Sequence, residues 1–175
     1  NNKVAVKGVP DMKGLKIRVT ENPVHITAFR TLGASPTPMS WPEVISALQQ
    51  GTIDGQENPV NVIHSFKLDE TQNYMTLSRH TYAPAIFVMG MPAWNQLPEA
   101  AQDVIRQAAQ EAAEHERQVN ADMEAEQLAA LREAGMEIND SPDMEAFQAA
   151  VAPVYEKYGQ QFGDYLPRIQ EALNQ

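Results

Sequence analysis

The sequence predicts an α/β fold with parallel strands. Short strand patterns alternate with short helix patterns in the first half of the chain, as in βαβ units. In "GLKIRV" (14–19) every second residue is apolar, which is typical of a strand with one buried face. The chain has 175 residues, 43% of them hydrophobic and 21% charged. This length and composition are those of a globular protein with a sizeable core.

A capped helix is predicted directly after this strand. Asn22 is a good N-cap, Pro23 suits the first helical turn, and Gly33 favours a stop. The next segment, "ASPTPM" (34–39), predicts a short strand. Because proline cannot donate a hydrogen bond to a neighbouring strand, we expect this strand at an edge or end of the sheet.

A second helix is predicted over 40–51. Ser40 and Glu43 have the spacing of a capping box, and Gly51 favours the end of the helix. The polar stretch "GTIDGQENPV" (51–60) follows it. Within this stretch, Asn58 is suited to be the N-cap of a helix that begins at Pro59.

The second half of the chain has a different hydrophobic pattern and longer predicted elements. The apolar run 81–91 predicts a buried strand. Residues 98–133 predict a helix of about 36 residues, roughly 54 Å long and longer than a small domain is wide. Residues 136–138 predict one more strand. Two closing helices are expected within 141–159 and 165–175.

The net charge and the cysteine content argue against several classes of function. A net charge of −10 argues against binding to nucleic acid or anionic membranes, both of which need clustered Lys and Arg. The chain has no cysteine, which excludes disulfides and thiolate metal sites. It opens "NNKVAVKGVP", without an initiator Met or a hydrophobic signal region, which indicates a mature or truncated start.

Two kinds of reactive site are weakly suggested near the polar stretch. Asp54, Glu57 and His64 are possible metal ligands, but their spacing matches no known metal motif. Glu57 with His64 or His80 is a possible acid/base pair. No nucleophile elbow, phosphate loop or zinc-protease motif accompanies this pair, so neither hypothesis is favoured.

Arg18 is the strongest binding candidate that the residues themselves suggest. It lies at the end of a predicted strand and before a helix, where open α/β sheets collect ligands. Its guanidinium group matches a carboxylate with two parallel hydrogen bonds. Trp41, at the start of the second helix, is either a wedge between helix and sheet or a wall of the site. Asn58 is either a helix cap or a ligand contact.

Three segments together carry a resemblance to a known family. They are "MKGLKIRV" (12–19), "LGASPTPMSWPEVISALQQGTIDGQENPVNVI" (32–63) and "RHTYAP" (79–84). The sequence resembles the DctP-type solute-binding proteins of TRAP (tripartite ATP-independent periplasmic) transporters over about residues 3–170. The resemblance implies a two-lobed periplasmic protein with a long connecting helix. Such a protein closes on an organic acid and delivers it to a membrane permease.

The resemblance also implies roles for single residues. Arg18 would form a salt bridge to the carboxylate of the ligand, and Asn58 would donate a second hydrogen bond. Trp41 would line the pocket, and His80 would lie near it. Lys3 stands in the neighbourhood where the family often has an arginine that makes a further carboxylate contact. The "GQEN" turn implies a site without metal and without another cofactor.

In this family a first lobe precedes the "KGLKIRV" strand. The chain is therefore expected to contain mainly the second lobe, as a fragment or an incomplete gene product that lacks the signal peptide. Residues 1–84 would form the first pass of the second lobe, 85–123 a return into the first lobe, and 124–175 the end of the long helix and the closing helices. The apolar residues expected to be exposed without the first lobe are Ile86, Phe87 and Val88.

Two other functions remain open at this point. A ligand-sensing module of the same fold would use the same site to report to a receptor. An enzyme that acts on a small acid is the third option. The residues of this chain do not identify the acid.

Overall fold

The structure is a computed structural model that describes residues 1–82 and 84–173. The strands are β1 (Lys16–Val19), β2 (Ser35–Pro38), β3 (Gly55–Gln56), β4 (Tyr74–Thr76) and β5 (Glu137–Asn139). The helices are α1 (Pro23–Thr31), α2 (Trp41–Gln49), α3 (Val60–Ser65), α4 (Met91–Trp94), α5 (Glu99–Glu133), α6 (Met144–Tyr158) and α7 (Tyr165–Leu173). Short 3-10 turns span Val9–Met12, Leu68–Glu70 and Gly159–Phe162.

The predicted α/β fold with parallel strands is confirmed. One sheet has the order β2-β1-β3, and β4 pairs with β5 in a second; all three pairings are parallel. The strand that contains Pro36 and Pro38 lies at the edge of its sheet, as its prolines predict.

The first two residues connect the two sheets. The backbone nitrogen of Asn2 donates to the carbonyl of Asp54, just before β3. On the other side, Asn1 and Tyr74 exchange two backbone hydrogen bonds of 2.8 Å. The segment 1–2 therefore lies between β3 and β4 and continues the hydrogen bonding from one sheet to the other.

Two of the three predicted caps differ from the structure. Asn22 caps α1 as expected, with its side chain accepting from the backbone of Val24 at 2.8 Å. Ser40 precedes α2, but its hydroxyl donates to the carboxylate of Glu43 at 2.8 Å. The capping-box prediction is therefore wrong, because the hydroxyl contacts the carboxylate and makes no hydrogen bond to the helix backbone.

The predicted N-cap role of Asn58 is also wrong. Pro59 is the N-cap residue, and α3 begins at Val60. The side-chain amide of Asn58 instead donates to the side-chain oxygen of Gln56 at 2.5 Å. Nearer the start of α3, the side chain of Asn61 accepts from the backbone of Val62 at 2.8 Å.

Two apolar clusters form the core. One joins α2, α3, β4 and the last turns of α5. The other joins β1, α1 and α6. The buried members of the first cluster are Val44, Ala47, Leu48, Ile53, Ile63, Leu68, Met75, Leu131 and Met136. Those of the second are Val6, Met12, Leu15, Ile17, Val19, Phe29, Ala34 and Phe147.

The strand predicted over 81–91 is wrong for the part that the structure describes. Residues 81, 82 and 84–90 form no strand, and Met91 begins α4; residue 83 lies outside the described residues. No described strand pairs with this segment. Its predicted exposure is confirmed, with 78% of Ile86, 69% of Phe87 and 85% of Val88 accessible to solvent.

The predicted long helix is confirmed as α5, which has 35 residues. Only Gln127 and Leu131 along it are buried, and both lie near its C-terminal end. Val104, near its start, is 66% exposed. The first half of α5 therefore carries apolar side chains that the described residues leave uncovered.

The remaining predictions for the C-terminal part agree with the structure. Strand β5 matches the segment expected over 136–138, and α6 and α7 match the two closing helices. Within the described ranges, no helix combines the length and the apolar character that crossing a membrane requires.

The connection between the two sheets generates a prediction about Gly55. A Cβ atom added there would lie 2.6 Å from the Cβ of Asn1 and 3.1 Å from the side chain of Ile17. We therefore expect Gly55→Ala to lower the free energy of unfolding by about 1–3 kcal/mol, measured by urea denaturation. Gly90→Ala is the control, because a Cβ there meets nothing closer than 4.0 Å. Equal stability of the two variants would contradict the close packing of residue 1 on β3.

Candidate functional site

The candidate site lies where the three parallel strands of the first sheet end. Each of β1, β2 and β3 is followed by a helix, so the N-terminal ends of α1, α2 and α3 meet at the same edge. In open parallel sheets, ligands bind in the crevice outside this carboxyl edge. The order β2-β1-β3 places β1 in the centre, so residues near its end face both neighbours.

Arg18 lies in this central strand and is only 6% exposed. It pairs in register with Thr37 on one side and Gln56 on the other. Its Nε donates to the backbone carbonyl of Met39 at 2.9 Å. No described carboxylate forms a salt bridge with it, and its two terminal nitrogens have no acceptor among the described residues. Neither terminal nitrogen is among the fully buried, unpaired side-chain atoms of the described residues, so each retains some contact with solvent.

Trp41 forms one wall beside the guanidinium. The Cζ of Arg18 lies 5.7 Å from the centre of the indole ring, within the range of a cation–π interaction. The indole ring of Trp41 also contacts the ring of Phe66 in a T-shaped arrangement, with ring centres 5.0 Å apart. Trp41 therefore contacts the arginine and also packs against the first core cluster.

The turn 56–58 lies on the other side of Arg18. Gln56 is the register partner of Arg18, and its side-chain oxygen accepts from the amide of Asn58. This hydrogen bond holds the Asn58 carboxamide beside the end of β3. The polar stretch of the sequence is thus an ordered turn at the carboxyl edge.

His80 is tied to the same turn through Glu57. The Nε2 of His80 lies 3.3 Å from the carboxylate of Glu57, and its Nδ1 lies 2.8 Å from the hydroxyl of Ser78. The ring of His80 also meets the edge of Phe29 in α1, with centres 5.5 Å apart. The structure therefore brings Arg18, Trp41, Asn58 and His80 to one edge of the sheet.

Lys3 lies away from this group. Its ammonium is 3.8 Å from the carboxylate of Asp54, and its side chain is 61% exposed. Asp54 precedes β3 and also accepts from the backbone of Lys16, the first residue of β1. This pair belongs to the amino ends of the strands, opposite the edge where Arg18 lies.

The three residues considered as metal ligands are not gathered together. Asp54 contacts Lys3, Glu57 contacts His80, and His64 lies in the last turn of α3. In the part of the chain that is described, no group of three or more His, Asp or Glu residues is placed to hold a metal ion.

The arrangement suits the capture of a carboxylate. A nearly buried guanidinium offers two free nitrogens, an aromatic wall stands beside it, and a carboxamide follows on the next strand. Sequence reasoning missed the contacts of Gln56 and of the Met39 carbonyl. The sequence did contain a signal for Gln56, because this residue lies two positions before Asn58 in the same polar stretch.

Comparison with known proteins gives a family for this chain. The model of the DctP family, described as bacterial extracellular solute-binding protein family 7, matches residues 1–161. A solute-binding protein from Verminephrobacter eiseniae is 46% identical over 163 residues, which are 93% of this chain and 49% of that protein.

Two solved structures of TRAP periplasmic solute-binding proteins are also similar. The protein from Polaromonas sp. JS666, bound to D-erythronate, superposes with a TM-score of 0.89 at 41% identity and covers 93% of this chain and 54% of that one. The Bordetella protein, with density interpreted as pantoate, gives 0.88 at 47% identity and covers 95% and 55%.

The chain spans about half the length of the relatives that it matches. The family match covers most of its 175 residues, and the fold agrees. The chain therefore belongs to the DctP family of solute-binding proteins of TRAP transporters.

Proposed function

We propose that this chain forms one side of the ligand site of a periplasmic solute-binding subunit that captures a small organic acid. The observation that carries the proposal is Arg18. It is nearly buried at the carboxyl edge, has no described carboxylate partner, and has two accessible nitrogens. A planar guanidinium in this position suits two parallel hydrogen bonds to a carboxylate. The D-erythronate bound by the Polaromonas relative is an acid of this kind.

The other residues of the edge complete the proposed site. Asn58 donates a second hydrogen bond to the ligand, and Trp41 contacts the apolar face of the ligand. His80 supports the turn through Glu57 and lies at the margin of the site. We assign Lys3 no contact with the ligand, because its partner Asp54 belongs to the amino ends of the strands.

We further propose that the chain divides between two lobes. Residues 1–84 form the ligand-facing pass of one lobe, and 124–175 close that lobe. Residues 85–123 belong to the other lobe, whose remaining part corresponds to the length of the relatives that this chain does not match. The exposed apolar side chains of Ile86 and Val88 support this division, because exposed apolar patches mark surfaces that pack against a partner.

In the proposed role the subunit binds without turnover and passes the acid to TRAP permease subunits in the membrane. The relatives are solute-binding proteins, which favours transport over catalysis. A sensing module of the same fold is the second candidate. Loss of uptake after deletion of the gene, with gene regulation intact, would support transport over sensing.

The first prediction from this proposal concerns Arg18 in a fusion of this chain to the part of the Polaromonas relative that it does not match. Replacing a buried partner of a charged ligand costs about 2–5 kcal/mol, or roughly 30- to 4,000-fold in affinity. We expect Arg18→Ala to weaken binding of D-erythronate by this factor in calorimetry. Arg18→Lys should recover little, because an ammonium cannot reproduce the planar fork.

Arg30→Ala is the matched control for this experiment. Arg30 is an exposed arginine in the last turn of α1, at the end opposite the carboxyl edge. Its replacement should leave the affinity unchanged. Near-native affinity of Arg18→Ala, in a fusion that binds the acid, would show that the carboxylate is held elsewhere.

The second prediction concerns the chain without the added part. A site with one open side leaves an arginine–carboxylate pair in water, where it contributes about 1 kcal/mol or less. We expect the chain alone to bind D-erythronate no more tightly than the millimolar range in NMR titration. The exposed segment 84–91 should also bind a hydrophobic dye, and the fusion should lose that signal. Micromolar affinity of a monodisperse unfused chain would contradict the two-sided site.

The third prediction concerns metal ions. Since the proposed site holds the carboxylate through Arg18 and Asn58, we expect the affinity of the fusion to be the same in EDTA as in excess calcium. Calorimetry in the two buffers tests this directly. A tenfold gain in affinity with calcium would place a metal ion between the protein and the acid.

A further inference from the structure

Arg79 has an uncommon backbone conformation beside the candidate site. Its φ angle is +42°, in the left-handed region that residues other than glycine seldom adopt. Among the described non-glycine residues, Lys67 alone shares a positive φ. The side chain of Arg79 is exposed and forms no hydrogen bond or salt bridge with the described residues. The reason for this conformation therefore lies in the neighbours of Arg79 and not in its guanidinium group.

The two neighbours of Arg79 contact each other. The hydroxyl of Ser78 lies 2.8 Å from Nδ1 of the His80 ring. Residues two apart in an extended segment are roughly 7 Å apart, and a left-handed residue between them shortens this distance. The backbone nitrogen of Ser78 also donates to the carbonyl of Thr76 at 2.9 Å, so the chain already turns as it leaves β4. The bend at Arg79 therefore directs the His80 ring back towards Ser78.

Two other elements fix the His80 ring in this position. Its Nε2 lies 3.3 Å from the carboxylate of Glu57, in the turn after β3. The ring also makes a T-shaped contact with Phe29 of α1, with ring centres 5.5 Å apart. A strained backbone conformation persists only where the surrounding contacts over-determine it. The contacts of this ring therefore hold the bend at Arg79, and the bend in turn keeps the ring beside Glu57.

We propose that Arg79 is a positioning residue for the ligand site and that it acts through its backbone. This inference rests on the proposed function, in which Asn58 contacts the ligand. The bend keeps His80 against Glu57, and Glu57 lies between Gln56 and Asn58 in the same turn. Without the bend, the ring leaves Glu57, and the turn loses one of the contacts that order it.

The test compares substitutions that change the backbone preference with one that changes only the side chain. In the fusion described above, Arg79→Val should weaken binding of D-erythronate about fivefold in calorimetry, because a β-branched residue strongly disfavours the left-handed region. Arg79→Gly adopts this region without steric cost, so it should bind at least as tightly as the unchanged fusion. Arg79→Ala removes the guanidinium but keeps a Cβ atom, and its affinity should stay within about twofold.

Gly14→Ala is the matched control for backbone strain. Gly14 has a φ of +76° and precedes β1, at the amino end of the sheet, and a Cβ atom added there meets nothing within 4 Å. Both Gly14→Ala and Arg79→Val add strain in the left-handed region, so both should lower the midpoint of urea unfolding. The affinity should fall in Arg79→Val alone. An equal loss of affinity in both variants would reduce the effect of Arg79 to a general loss of stability and overturn its positioning role.

A second measurement uses the chain without the fusion partner and needs no ligand. The contact with Phe29 should displace the ring proton signals of His80 in NMR from those of an exposed histidine such as His115. Arg79→Val should remove this displacement, and Arg79→Gly should keep it. Unchanged His80 signals or unchanged affinity in Arg79→Val would overturn the inference, as would a loss of affinity in Arg79→Gly. Retention of affinity by Arg18→Ala would instead overturn the proposed function, so the two failures are distinguishable.

Discussion

The cost of burying the guanidinium of Arg18 is the constraint on which the carboxyl edge depends. Removing such a group from water costs several kcal/mol unless other groups compensate it. Here the compensation comes from the Met39 carbonyl, the face of Trp41 and the solvent that reaches the terminal nitrogens. The Met39 carbonyl belongs to the short connection between β2 and α2, and Trp41 is the first residue of α2. The position of that connection, and thus the start of α2, therefore depends on the side chain of Arg18 in β1.

The polar side chains of the turn after β3 lie beside two different residues, Arg18 and His80. Gln56 and Asn58 bind each other beside Arg18, while Glu57 between them reaches His80. Because successive residues of an extended segment point to opposite sides, three consecutive polar residues serve both directions without competing. The turn also has to follow a strand of only two residues. Its order therefore comes from side-chain hydrogen bonds more than from the backbone pairing of β3.

Much of the fold was predictable because its elements are encoded locally. The alternation in β1, the Asn22 cap of α1 and the uninterrupted helical pattern of α5 each depend on neighbours in sequence. The predictions failed where distant contacts decide. Asn58 was expected to cap a helix and Ser40 to form a capping box, but the side chain of each bonds to another side chain. The run 81–91 is apolar enough for a strand, yet no described strand pairs with it. At the candidate site, the residue types were predictable, whereas the link between Gln56 and Asn58 needed coordinates.

The long helix α5 explains how one chain has both an ordered carboxyl edge and an apolar segment that the described residues leave exposed. The exposed first half of α5 is supported by its own side chains, as in the pairs Gln107–Glu111 and Gln110–Glu114. Such pairs four residues apart, in an Ala-rich sequence, favour a helix without tertiary packing. The apolar residues on that half are therefore not needed to form the helix and remain available for packing against another body. The carboxyl edge, in contrast, is built from residues before 82 that pack on the two core clusters. Its groups are thus held in place by the described part of this chain itself, which would lower the conformational cost of binding at the site that we propose.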